Sequence, residues 1–405
     1  MLLIFTPLAR GSVLPWAITI IHMATLLALT LFLIKRILVW KWKQIPTPLN
    51  TPFIFLFTLV LLSGLFSLHR LSSIESIFLF ADYLVWFYLV VYLTQNRDHL
   101  WHICYVIIGV GAFLSLFGFF KQFGINPFTW WDYRDLGDST GCLSSTYGNR
   151  NHLAGYLEMS IPLVFGFLLT RVSLAKRIFI IYLALLMVTA LIFSLSRGGW
   201  VGFFVSIGLM CCALFVSRRF RAKRLLAGIL VGTFAVITIA LSTTPVVERF
   251  LTIANKEEDA SLHERFIVWK AAMRMIKDHP ILGAGPGTFK TVFLKYQPPG
   301  LTSHFAEAHN DYVHFISETG LLLVPLIIWM GIALYRRGWH KLKNPSRLVR
   351  ATTLGALTGI TAMLVHSIAD FNLHIPANAL LFTVLCAIVA APLSERFQEQ
   401  STLAV

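Results

Sequence analysis

The stretch 178-IFIIYLALLMVTALIFSLSRGGWVGFFVSIGLMCCALFV-216 reads as two apolar runs, 178–194 and 200–216, interrupted by 194-SLSRGGW-200. A helix rises 1.5 Å per residue, so runs of roughly 17–25 apolar residues match the hydrocarbon core of a bilayer. Backbone groups inside lipid must hydrogen-bond within their own segment, which makes each run a helix. Working outward, similar runs recur near 13–34, 52–68, 76–95, 100–120, 152–170, 225–243, 315–335, 351–368 and 377–393. The pattern predicts an all-α polytopic protein of about 11–12 membrane helices, a single membrane domain over 1–405. Met1–Thr6 is apolar but too short to span and reads as the stub of a further helix. No charged region before a small-residue cleavage site marks a signal peptide. Composition agrees: 57% of residues are hydrophobic and 13% charged, against roughly 25% charged in soluble domains. So few charges cannot cover a water-facing surface. A soluble enzyme, a disordered chain and a secreted disulfide scaffold are excluded, and the lipid bilayer is the first expected partner.

Basic residues outnumber acidic ones, 34 to 19. Their placement explains the surplus. The connections 35–50, 96–99, 171–177, 217–224 and 336–350, with Arg396, hold 20 Lys and Arg, whereas the short connections opposite hold 6. Basic short loops stay in the cytoplasm, so 217–224 and 336–350 are assigned there and 244–314 to the opposite side. The surplus is a topology signal, and no nucleic-acid partner is expected, since no binding motif supports one. Cys104, Cys142, Cys211, Cys212 and Cys386 show neither metal-type nor disulfide-type spacing.

Two outer segments remain, about 121–151 and 244–314. In the second, Ser261-Leu262-His263-Glu264 matches a capping box and predicts a helix over 262–278 that stops before Pro280. Its expected apolar stripe is Phe266, Trp269, Met273 and Ile276. Arg265 falls in the first turn, where the helix dipole disfavours a cation. It is either a solvated partner of Glu264 or an arginine aimed at an anionic ligand. The sequence 283-GAGPG-287 matches no nucleotide-binding pattern and reads as a turn between short helices. At 308-AHNDY-312, Asn310 or Asp311 suits a helix cap, while His309 is a bystander or a general base at a helix mouth. His304, His309 and His314 are five apart and share no helix face, so no metal set and no cofactor are expected.

Arg197, in the short 194–200 turn, either reaches interfacial lipid phosphate or faces the same outer cavity as Arg265, where a guanidinium fork suits phosphate oxygens. In 148-GNRNHLAGYLEM-159, Asn151 stands at a helix entrance and Glu158 about two turns further in. An intramembrane carboxylate is a functional candidate, and Glu158 reads equally as a structural partner for an outer arginine. Asp82 poses the same question, with a hydrogen bond to a neighbouring helix as the plain answer.

Together, 7-PLARGSVLPWA-17, 148-GNRNHLAGYLEM-159, 194-SLSRGGW-200, 264-ERFIVWKAAMRMIKDHPILGAGPGTF-289 and 308-AHNDYVHFISETGLL-322 resemble, in order and position, the O-antigen ligase / O-antigen polymerase superfamily of bacterial membrane glycosyltransferases. The resemblance implies a multi-pass inner-membrane protein with a long periplasmic loop, here 244–314, containing short helices. It implies transfer of glycan from undecaprenyl diphosphate to an acceptor hydroxyl at a periplasm-facing site, with lipid A–core as acceptor if the chain is a ligase. The family's diphosphate-binding arginines fall on Arg197 and Arg265, and its loop histidine on His309. Asn310, Asp311, Asn151 and Glu158 are supporting candidates. The implied chemistry is a metal-independent inverting displacement. The alternatives are a polymerase joining repeat units, a protein O-oligosaccharyltransferase and, in another class, a bicarbonate-like solute transporter.

Overall fold

The computed structural model describes residues 1–39, 45–126, 128, 131, 141–216, 228, 260–299 and 305–392. The described residues form fourteen α-helices: α1 Leu2–Leu8, α2 Pro15–Val39, α3 Asn50–Leu65, α4 Arg70–Leu93, α5 Arg97–Gln122, α6 Arg150–Leu168, α7 Leu174–Phe193, α8 Arg197–Val216, α9 Ala260–Asp278, α10 Phe289–Val292, α11 Asp311–Thr319, α12 Leu323–Lys341, α13 Arg347–His366 and α14 Pro376–Ala390. No strand occurs among the described residues. Six of these helices, α2, α4, α5, α7, α8 and α13, are long and apolar enough to cross a membrane, and α3 and α14 are shorter apolar helices. This is the all-α polytopic membrane fold that the apolar runs predict. The expected span 225–243 and the basic loop 217–224 lie outside the described residues.

Two helices make the centre. Every residue of α6 from His152 to Leu168 is buried, as is most of α13. A helix buried on all sides belongs to a core. Small residues bring these two backbones together. A Cβ on Gly359 would stand 2.6 Å from the Met159 carbonyl oxygen, and one on Gly355 would stand 2.8 Å from that of Pro162. The third member is α8, where a Cβ on Gly202 would meet the Ala362 carbonyl oxygen at 2.6 Å. Lipid tails are as apolar as leucine, so close backbone packing of this kind drives helix association in membranes. It also presses the polar ends of α6, α8 and α13 against one another.

Three sequence expectations change. The run 315–335 is not one helix. Gly320, at φ 83, breaks it into α11 and α12; the Leu321 N–H donates to the Pro280 carbonyl at 2.8 Å, and a Cβ on Gly320 would collide with Ile281. The polar residues His314, Ser317, Glu318 and Thr319 thus form a short separate helix. The stripe expected on α9 is also displaced. Phe266 and Met273 are exposed; Ile276 is buried as expected, and Val268, Ala271, Ala272 and Met275 form the face that packs on Phe289 and Phe293. Two alanines admit that close contact where bulkier residues would hold the helices apart. The helix is already formed at Ala260, so Ser261 lies inside it, upstream of which no cap is described. The N-terminal stub is a short helix, α1, with Leu2, Thr6 and Pro7 buried.

Candidate functional site

The turns 194–196 and 367–375 and the segments 260–299 and 305–322 meet at one end of the bundle, and His309, Arg265, Asp311 and Glu158 all reach the residues of 366–375 there. Asn310 caps α11, its Oδ1 accepting the Val313 N–H at 3.0 Å. The cap sets His309 just outside the helix at φ 50, a left-handed conformation that non-glycine residues adopt rarely and at a cost of about 1 kcal/mol. Long-range bonds hold it there. The Asp311 N–H is shared by the Ser367 and Asp370 carbonyls at 2.9 and 3.1 Å, and Trp269 Nε1 on α9 donates to Ala308 O at 2.8 Å.

Asp311 and Asn310 do not orient the imidazole of His309. The Asp311 carboxylate accepts from Ser367 Oγ at 2.7 Å, Leu373 N–H at 3.1 Å and His374 Nδ1 at 2.7 Å. It is a latch that fastens α11 to the 367–375 loop. The group facing His309 is Asp370, whose Oδ1 lies 3.7 Å from His309 Nδ1. That nitrogen is buried and makes no hydrogen bond among the described residues. Burial acts to raise the Asp370 pKa, but His309, then His366, Arg265 and His152, outweigh it, so the carboxyl is held below its ordinary value.

Arg265 is not simply a solvated charge. Its Nη1 donates to the Ala369 carbonyl, beside Asp370. Arg265 and Trp269 are one turn apart on α9, so both reach this loop from a single helix face. Arg197 opens α8. It follows a turn in which Leu195 has φ 55 and Ser196 Oγ accepts the Gly199 N–H at 3.3 Å. Its neighbour Gly198 lies against the His366 ring, where a Cβ would fall 2.4 Å from Cδ2. Asn151 enters α6 with its N–H on Asn149 Oδ1 at 2.8 Å. Glu158 pairs with a histidine, not an arginine: its Oε1 is 3.0 Å from His366 Nδ1, and both side chains are fully buried. Asp82 takes the plain answer, meeting His22 of α2 at 2.5 Å.

The residues that sequence reasoning missed lie in 366-HSIADFNLHIPAN-378. Its Phe371 ring stands edge-on between His309 and His152, with centroids at 4.9 and 5.1 Å. Asn378 ties the loop down, its Nδ2 donating to His152 O and Asn372 Oδ1 at 3.0 Å. This stretch was divided between two apolar runs and a connector. Two histidines, an aspartate and two asparagines in one outer connection were the available signal.

A second polar cluster borders the first. His314 and His374 stack with centroids 3.8 Å apart, between Glu318 at 3.2 Å and Asp311 at 2.7 Å. His314, Glu318 and His374 have donor atoms within 4.8 Å of one another, the one metal-type grouping found among the described residues. Both Glu318 oxygens already accept backbone N–H groups, from Gly287 at 2.8 Å and Phe289 at 2.9 Å. The arrangement acts as a polar staple between α11, the 367–375 loop and the glycine turn. That turn, 283–287, spends its amides on Ser317 O, Glu318 O and the Glu318 carboxylate, as expected of a structural turn and not of a phosphate cradle.

What this end of the bundle offers is an imidazole backed by a buried carboxylate, with a guanidinium fastened to the same loop and a second arginine at the neighbouring helix start. Such a set can accept a proton from a hydroxyl and neutralise an anionic leaving group. Comparison with known proteins points the same way. Residues 182–330 match the family model described as O-antigen ligase. An uncharacterized protein of Haemophilus influenzae is 28% identical over 236 residues, covering 52% of this chain and 56% of the relative. The chain thus spans just over half the length of the curated relative it matches.

Proposed function

We propose that this chain, a member of the O-antigen ligase superfamily, transfers glycan from undecaprenyl diphosphate to a hydroxyl of lipid A–core on the periplasmic face of the inner membrane. The observation that supports this most is His309 held in a left-handed conformation with Nδ1 3.7 Å from the buried Asp370 carboxylate. This leaves Nε2 as the nitrogen for a substrate. In the reaction, the acceptor oxygen attacks the anomeric carbon while the carbon–oxygen bond to the diphosphate breaks. His309 Nε2 takes the hydroxyl proton, and Asp370 stabilises the imidazolium that forms. Arg265 and Arg197 bind the diphosphate and stabilise the charge that develops on it. A single displacement inverts the anomeric carbon, and this scheme uses no metal ion. Asn310 and Asp311 support the site by fixing the loop that carries His309, and Asn151 by its place at the entrance of α6.

A deletion strain examined by lipopolysaccharide gel tests the reading. Loss of long-chain lipopolysaccharide with lipid-linked polymer retained is the expected result. A core capped by single repeats identifies a polymerase. Loss of glycan from a protein, with lipopolysaccharide intact, identifies a protein O-oligosaccharyltransferase. No change in any glycan overturns glycosyl transfer in favour of solute transport.

A further inference from the structure

The His309–Asp370 pair does not end at Asp370. Its second oxygen, Oδ2, lies 4.0 Å from His366 Nε2, and His366 Nδ1 lies 3.0 Å from Glu158 Oε1. Four side chains therefore alternate, imidazole, carboxylate, imidazole, carboxylate, from the mouth of the site into the helical core. The inner two are completely buried. Helix packing is close around them: a Cβ on Gly202 would stand 2.8 Å from Glu158 Oε2, and one on Gly198 would strike the His366 ring. Glu158 Oε2 has no hydrogen-bond partner among the described residues. A buried carboxylate is costly and persists where a charge partner compensates it. His366 is that partner, and α6, α8 and α13 leave room for both.

We infer that Glu158 and His366 are positioning residues that set the proton affinity of His309 through Asp370. The inference rests on His309 acting as the base. Glu158 pairs with His366 in the helical core, and His366 stands against the Asp370 oxygen that faces away from His309. Protonated His366 partly neutralises Asp370, and so limits how strongly Asp370 holds a proton on His309. Other groups bear on the chain as well: His152 on α6, Arg265 on α9 and Asp311 on α11, with Arg197 beside Gly198 at the start of α8. Removing the Glu158 charge should therefore strengthen the Asp370–His309 interaction and keep His309 protonated to higher pH.

The test is Glu158→Gln, with His366→Gln as the second variant. Both remove the same influence, so both should act in the same direction. Transfer from undecaprenyl diphosphate-linked oligosaccharide to lipid A–core is measured against pH in membranes, together with donor binding. The acid limb of the rate should move up by about one pH unit, with donor binding within twofold of wild type. In parallel, carbethoxylation of His309 by diethyl pyrocarbonate is followed against pH in the detergent-purified protein by mass spectrometry. Its midpoint should move up by the same amount. That readout does not require glycosyl transfer. If the wild-type protein transfers no glycan, the proposed function fails while the relay is still judged by carbethoxylation. Lower rates with both midpoints unmoved would reduce Glu158 and His366 to structural roles and overturn the inference. A downward shift would overturn its sign.

Discussion

Replacing Asp370 by Asn keeps the shape of the side chain and removes its charge. At 3.7 Å, a unit charge pair at an effective dielectric near 20 interacts by about 4 kcal/mol. His309 is 29% exposed, and Arg265 and His366 compete for the same carboxylate. About a third of that figure, roughly 1.4 kcal/mol, is a reasonable share for the His309 imidazolium, equal to about one pH unit. Losing it from the transition state slows transfer about tenfold. Losing the group that orients the ring adds to this, since a neutralised triad aspartate in serine proteases costs about 10⁴ in turnover. We expect transfer at neutral pH to fall about 10–1,000-fold, with donor binding nearly unchanged. The acid limb of the rate should move to lower pH by about one unit, opposite to the shift expected for Glu158→Gln. The assay is transfer at saturating lipid-linked donor across pH 5–9 in membranes normalised for protein. A wild-type rate with an unmoved limb would refute the role given to Asp370. So would a loss confined to donor binding.

Arg197→Lys and Arg265→Lys keep the charge but lose the planar fork; each should weaken donor binding about tenfold, and wild-type binding by the double lysine variant would remove both from the site. In His374, burial lowers proton affinity, but Asp311 and Glu318 outweigh it and its pKa is raised. Its contribution to stability is therefore complete below about pH 6.5 and is lost as pH rises through the folded-state value. His374→Gln should accordingly lower the melting temperature in detergent more at pH 6 than at pH 9, and an equal drop at both would count against the charged latch. Gly359→Ala forces a Cβ to within 2.6 Å of the Met159 carbonyl and should destabilise the α6–α13 pair by about 1–3 kcal/mol, seen as a lower melting temperature. In a cysteine-free background, an impermeant thiol reagent on intact spheroplasts should label Lys290→Cys and not Lys343→Cys; the reverse pattern would invert the orientation.

Much of the membrane architecture is legible in the sequence, because the constraint behind it is local. A segment in lipid must satisfy its own backbone, so each span must announce itself as an apolar run. The break at Gly320 escaped this reading because only four residues, 317-SETG-320, interrupt the apolar run. Only the packing of residues 280–283 against that glycine ends the helix there. His309, Arg265 and Arg197 were legible as polar residues at helix mouths. Asp370 and His366 were not, for they sit where an apolar run fades into a connector and the period carries no mark of them.

What the sequence by itself determined is a bundle of membrane helices and which polar residues stand at the ends of those helices. Which of those residues meet was decided by tertiary structure alone. Glu158 and His366 are 208 positions apart. They touch because Gly202, Gly355 and Gly359 let α6, α8 and α13 approach to backbone contact. His309 finds Asp370 because Asp311, two residues along, is bound to the 367–375 loop by its amide and its carboxylate. Hydrophobic periodicity states that a helix is buried, but close packing of side chains selects its neighbour, and that selection brings Asp370 to His309.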